Sequence, residues 1–220
     1  MQKSDETRSK ILTAALALFR TQGFEKSTMR DVAQRAGVAT GAAYYYFASK
    51  DALVLAFYEQ AAAEIGPLAR QAAEPARGLA AKLREVMLVK LDYFGENRDV
   101  LRALLRTGAD PKHPLSPFSE QTKMMRDADV ELFGELVKTS GVRVPKDLAP
   151  YVPESLWMYQ MGIIYFWLTD DSEGHTRTRK LVDLSARVVA GLLELASLPL
   201  TKTLRKPVVE LLQVVIARNA

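Results

Sequence analysis

The chain has 220 residues, 48% of them hydrophobic and 25% charged, a formal net charge of +4 and no cysteine. That balance excludes a wholly disordered or collagen-like chain, and the missing thiols exclude disulfides, cysteine nucleophiles and thiolate metal sites. The charged start MQKSDETRSK has no apolar stretch of the signal-peptide kind, and the longest uncharged run, residues 155–169, is shorter than the roughly 17 to 25 apolar residues of a membrane span, so a cytoplasmic protein without a membrane partner is expected.

Helical periodicity runs through the whole chain, and no alternating strand pattern stands out. Between Thr7 and Gln22, Ile11, Leu12, Ala15, Leu16 and Phe19 fall on one face of a first helix, with Gly23 where a C-terminal cap belongs. Thr28-Met29-Arg30-Asp31 has the form of a capping box and opens a short second helix, whose inner face is Val32, Ala33 and Ala36. Gly37-Val38-Ala39 makes a tight turn, and residues 40–46 form a third short helix closed by Phe47 and Ala48. Ser49 then caps a fourth helix, about 49–74, that either stops at Gly66-Pro67 or continues kinked towards Pro75. Further helices are expected at about 77–95, 98–107, 116–139, 150–170 and 176–197. The segment after Pro199 reads either as one more helix or as an assembly segment.

The run Tyr44-Tyr45-Tyr46-Phe47 needs an explanation. Successive helical residues turn by about 100°, so four adjacent aromatics cannot all face one core. Two short helices joined by a glycine-containing turn and braced by a first helix have the layout of a helix-turn-helix, whose second helix enters the DNA major groove. On that layout Ala43 and Phe47, four apart, plug the core, and the small residues Ala39 to Ala42 let the helix start approach base edges. Tyr45 and Tyr46 turn outward, where a ring packs on sugar and a hydroxyl donates to phosphate, and Lys50 adds charge. Residues 1–58 hold eight of the basic side chains against five acidic ones, an N-terminal surplus that suits a polyanion partner.

Residues 8–54 resemble the DNA-binding region of the TetR family of bacterial transcriptional regulators. The resemblance is carried by Phe19, Gly23 and Phe24; by Thr28, Val32, Ala33, Ala36, Gly37 and Val38; and by Tyr45, Phe47, Ser49, Lys50 and Leu53. It implies Thr28 and Arg30 near phosphate, Thr40, Gly41 and Ala42 near bases, and Tyr44, Tyr45, Tyr46 and Lys50 along the DNA backbone. Three positions depart from the pattern. Tyr46 stands where histidine is frequent, and Ala42 and Ala43 replace larger side chains, so Ala42 can touch a thymine methyl but cannot hydrogen-bond a base.

The expected organisation is all-α: a helix-turn-helix DNA-binding domain at 1–50, bridged by the fourth helix to an effector-binding and dimerisation domain at 51–220. For a homodimer interface the stripe Leu181, Leu184, Val188, Leu192 and Leu195 is expected, with Gly191 allowing close approach. For a pocket, Tyr93, Phe94, Phe118, Phe133, Trp157, Met158, Met161 and Tyr165 are the candidates, implying a small, mostly hydrophobic effector. His113 and His175 have no metal-ligand spacing, so no metal and no cofactor are expected. With no phosphate loop, nucleophile elbow or carboxylate-histidine cluster, neither is an enzyme. The function expected is a repressor that binds a palindromic operator as a homodimer and is released by its effector. The alternative is a DNA-binding protein that activates, or that has no small-molecule effector.

Overall fold

A computed structural model describes residues 2–216, apart from the side chains of residues 2, 3, 106 and 107. The described chain is helical: α1 Gln2–Gln22, α2 Met29–Ala36, α3 Thr40–Tyr46, α4 Lys50–Ala73, α5 Gly78–Phe94, α6 Arg98–Gly108, α7 Lys123–Thr139, α8 Val152–Thr169, α9 Thr176–Ala196 and α10 Lys202–Ile216. The fourth helix takes the longer of its two expected courses, with Pro67 inside it. The segment after Pro199 resolves as a 3₁₀ turn and then α10.

Two compact units result, and they do not follow one cut in the chain. The first comprises the chain up to Glu64 together with Phe94–Arg126; the second comprises Ile65–Tyr93 and Asp127 onward. The helix α6, expected to belong to the larger C-terminal domain, therefore packs with the N-terminal helices. Its Val100 and Leu104, with Leu115, join a buried cluster of Ile11, Ala15, Phe19, Val32, Ala43, Phe47, Leu53 and Phe57. Phe19 and Phe24 meet edge to face at 5.2 Å in that core.

The helix expected at 116–139 begins only at Lys123. Residues 109–122 instead follow a series of turns in which buried hydroxyls bond the backbone. Ser116 Oγ donates to Gly108 O (2.8 Å), Ser119 Oγ to Pro114 O (2.9 Å) and Thr122 Oγ1 to Ser116 O (2.7 Å). Arg126 adds a bond to Pro117 O at 2.9 Å. Such local side-chain bonds compete with the helical ladder, and Pro114 and Pro117 remove donors from it.

The second unit is an apolar helical body with a few buried polar joints. Lys90 of α5, 3% exposed, donates to Asp129 Oδ1 of α7 (2.5 Å) and to Gln160 Oε1 of α8 (2.6 Å), with its ammonium 5.4 Å from the Phe133 ring centre. Gln160 Nε2 closes the triangle on Asp129 Oδ2 at 2.8 Å. Burial pushes the Lys90 ammonium towards its neutral form, while the charge of Asp129 and its hydrogen bond pull the other way.

Between α8 and α9 the buried Asp170 carboxylate accepts from Thr178 N (2.9 Å), Thr178 Oγ1 (2.6 Å) and Ser172 N (3.0 Å), fixing the start of α9. Burial alone would raise its pKa, but the bonds from Thr178 and Ser172 outweigh it and hold the carboxyl well below the usual range. A carboxyl depressed in this way stabilises the fold above its unfolded pKa of about 3.9 and loses that contribution as pH falls towards the folded value. The gap in melting temperature between wild type and Asp170→Asn is thus expected to be widest at neutral pH and to narrow steadily below about pH 4. A gap that stays constant with pH would show that the carboxylate charge is not what holds the turn.

Candidate nucleic-acid interface

The capping box at α2 is formed in both directions. Asp31 N donates to Thr28 Oγ1 (3.2 Å), and Thr28 N donates to Asp31 Oδ2 (2.9 Å). The Thr28 hydroxyl also donates to that carboxylate at 2.7 Å, and Thr28's bonds hold the Asp31 carboxyl below its ordinary pKa. The helix ends on Gly37 at φ 65°, a left-handed conformation that glycine adopts without Cβ strain, and Gly37 N and Val38 N close the cap on Gln34 O and Ala33 O. These two local devices fix the turn that aims α3.

The short α3 is held by Ala43, fully buried, and by Phe47 just past its end, 3% exposed. Thr40, Gly41, Tyr44 and Tyr45 then face away from that core, the two rings 52% and 84% exposed. At its start Ala39 has no side chain to cap the helix, so the first N–H groups of α3 are left for whatever approaches that end. Ala42 is half-buried. Arg30, near the start of α2, is exposed.

Tyr46 is placed differently from expectation, and Lys50 has partners within the chain that the sequence reading did not include. Tyr46, expected to turn outward, is half-buried against the core, its hydroxyl 3.4 Å from Ser4 Oγ and its ring edge-on to Tyr45 at 5.2 Å. The reason is helical geometry: Tyr46 follows Ala43 by three and precedes Phe47 by one, so it sits on the flank of the inward face. Lys50, expected along the DNA backbone, donates within the chain to Phe24 O (2.7 Å) and Glu25 O (3.3 Å), with its ammonium 4.5 Å from the Phe24 ring centre. It clamps the α1–α2 loop to the start of α4. An ammonium has three donors, so one remains for a phosphate. Sequence reasoning also missed the α1 extension to Gln2 that brings Ser4 to Tyr46, because nothing in the charged N-terminal residues marks an apolar face.

The eight residues expected around an effector are split between the units. Phe94 and Phe118 belong to the first and the other six to the second. Phe133 and Trp157 are core residues, Tyr93 and Met161 are half-buried, and Met158 and Tyr165 lie on the exposed side of α8. An open groove of about 880 Å³ lies instead in the first unit, between α1 and α2, lined by Asp5, Glu6, Lys10 and Arg35 among others and by none of the eight. Of the dimer stripe, Leu184, Val188, Leu192 and Leu195 are exposed on α9 and Leu181 is half-buried. Among the described residues no group of side chains could hold a metal ion, and no helix is long and apolar enough to cross a membrane.

A capped α2, a left-handed glycine turn and an α3 with one buried and one bare face define a helix-turn-helix protein. The family models for "Bacterial regulatory proteins, tetR family" and "Tetracyclin repressor-like, C-terminal domain" match residues 11–57 and 82–208, and the chain belongs to the TetR family. It is similar to the HTH-type transcriptional regulator AcrR of Shigella flexneri, 37% identical over 93 residues, which is 41% of this chain and 43% of that protein. It is also similar to the regulator TtgR of Pseudomonas putida, 38% identical over 26% of this chain and 28% of that one. The matched segments thus span about half or less of the curated relatives' length. The fold is that of a TetR-family transcriptional regulator from Pectobacterium atrosepticum, with TM-score 0.68, 18% identity and coverage of 88% and 96% of the two chains. The TetR regulator from Nitrosomonas europaea gives TM-score 0.64 at 19% identity, covering 84% and 98%.

Proposed function

We propose that this chain is a homodimeric transcriptional repressor that reads a palindromic operator and is released by a small, mostly hydrophobic effector. The observation that carries the DNA reading is the division of α3: Ala43 and Phe47 anchor it, while Thr40, Gly41, Tyr44 and Tyr45 stand clear of the core. In the major groove, Thr40, Gly41 and Ala42 would lie nearest the bases. Tyr44 and Tyr45 would meet sugar and phosphate, Arg30 and Thr28 would meet phosphate beside α2, and Lys50 would use its remaining donor. Tyr46 would contribute through its packing.

Two-fold symmetry would set two α3 helices roughly 34–36 Å apart, one helical turn of DNA, which is why the operator is expected to be palindromic. Effector binding would act by preferring a conformation in which that spacing is lost, since equal affinity for both states shifts nothing. Helix α4, whose residues 50–64 belong to the first unit and 65–73 to the second, is the proposed lever.

The test is fluorescence anisotropy on duplexes from the gene's own upstream region and on scrambled duplexes, across a salt series. One palindromic duplex is expected to bind tightly. Tyr45→Phe is expected to weaken that binding, and Arg30→Ala to lower the salt slope by about 1, the signature of one phosphate contact. Equal, weak binding to every duplex would refute the operator reading.

A further inference from the structure

We infer that α10 forms the outer part of the homodimer interface, its seam Leu204, Val208, Leu211 and Val215 packing on a second copy of this chain; this rests on the dimer proposed above. The helix is held to its own unit by one side. Arg205, Val209, Leu212 and Ile216 are half-buried there. Arg205 Nη1 donates to Ala196 O (3.1 Å) and its Nε faces the Asp147 carboxylate at 3.4 Å, while Gln213 Nε2 donates to Tyr151 Oη at 3.2 Å. Pinned near both ends, the helix presents a different stripe to solvent. Leu204 and Leu211 are 68% and 62% exposed, and Val208, Val214 and Val215 are exposed with them. A row of five large apolar side chains on one fixed helix is the kind of contiguous patch that marks an interaction surface.

Spacing points to a like helix as the occupant. The outward positions 204, 208, 211 and 215 recur at steps of four, three and four, the repeat by which helices pack knobs into holes. The exposed positions Leu184, Val188, Gly191 and Leu195 of α9 repeat the same steps, and exposed Leu198 follows three residues later. One 3₁₀ turn then leads into α10. Gly191 has open space where a Cβ would stand, so a partner backbone can come close.

Size points the same way. A standard interface buries about 800 Å² per partner through roughly 20–30 residues, and the exposed stripe of α10 adds apolar surface to that of α9. A membrane-surface helix would instead carry a strongly basic polar face, whereas with Arg205 turned to Asp147 the rest of α10 offers Lys202 and Lys206 against Glu210. The matched C-terminal domain ends at residue 208, so Leu211, Val214 and Val215 lie beyond the matched segment.

The experiment is sedimentation equilibrium of the full chain and of Leu204→Asp/Leu211→Asp, with Thr203→Asp as a control and circular dichroism as the check on folding. The double variant is expected to raise the dimer Kd at least tenfold, and the control to leave it unchanged. A wild-type dimer whose Kd the double variant does not alter would overturn the α10 contact while leaving the α9 dimer standing. A wild type that stays monomeric at every concentration would overturn both. If the double variant does not fold, Leu211→Cys decides, because it is the chain's only thiol. Its reaction with a thiol reagent is expected to slow as the dimer fraction rises. A rate independent of concentration would overturn the proposal, as would α10-dependent co-sedimentation with phosphatidylglycerol vesicles at an unchanged rate.

Discussion

Leu192→Asp is expected to turn the protein into a folded monomer and to cost it most of its operator affinity. The side chain sits on the bare stripe of α9 between Val188 and Leu195, so in the monomer the new carboxylate stays in water and the fold changes by no more than about 0.5 kcal/mol. In a two-fold dimer the same residue enters the interface twice, and each buried carboxylate lacks a partner. A penalty of about 2 kcal/mol per copy raises the dimer Kd by about a thousandfold. Operator binding then falls because two half-sites no longer act together, a loss of about 10² to 10⁴ in affinity. Light scattering gives the mass, and anisotropy on full and half operators gives the affinity ratio. A variant that dimerises as tightly as wild type would remove α9 from the interface.

The second large effect concerns stability. Asp129→Ala strips the buried Lys90 ammonium of its counter-charge and leaves it the Gln160 carbonyl and the Phe133 ring. Breaking a buried pair on one side costs about 3–5 kcal/mol, and the low end is expected because the Asp129 side chain keeps 30% of its exposure. In a chain of this size each kcal/mol moves the melting temperature by about 2–4 °C, so a fall near 10 °C is expected.

The sign with pH follows from Lys90. Without Asp129 its folded pKa drops further below the unfolded value of about 10.4, so stability rises as pH climbs between the two and the deficit shrinks. Replacing the whole triangle, as Lys90→Met/Asp129→Leu/Gln160→Met, leaves no orphaned charge or amide and is expected to recover most of the loss. Asp129→Ala with wild-type stability across the pH range would show that Lys90 is not held by this pair.

The helix-turn-helix was legible because its determinants are local. The Thr28–Asp31 box spans four residues, Gly37 sets its own turn, and Ala43 and Phe47 share a face by helical spacing alone. The same spacing, read one step further, places Tyr46 on the flank of that face rather than outside it. Lys50 was not legible in this way. Its partners are the carbonyls of Phe24 and Glu25, 26 and 25 residues away, and a carbonyl leaves no trace in residue type.

The expected effector residues show the same limit. A helix such as α8, apolar over most of its circumference, gives Trp157 to the core and Met158 to the surface with equal sequence plausibility.

By itself the sequence determined the all-helical class, most of the helices, the Thr28 cap, the bearing of α3 and the family, since each depends on neighbours within a turn or two. Only the tertiary structure decided that α6 and residues 109–122 pack with the N-terminal helices, that Lys90 lies inside a polar triangle and that α10 is pinned with Leu204 and Leu211 outward. Apolar burial has no direction of its own, so one amphipathic face fits many partners until chain connectivity and competing surfaces select among them.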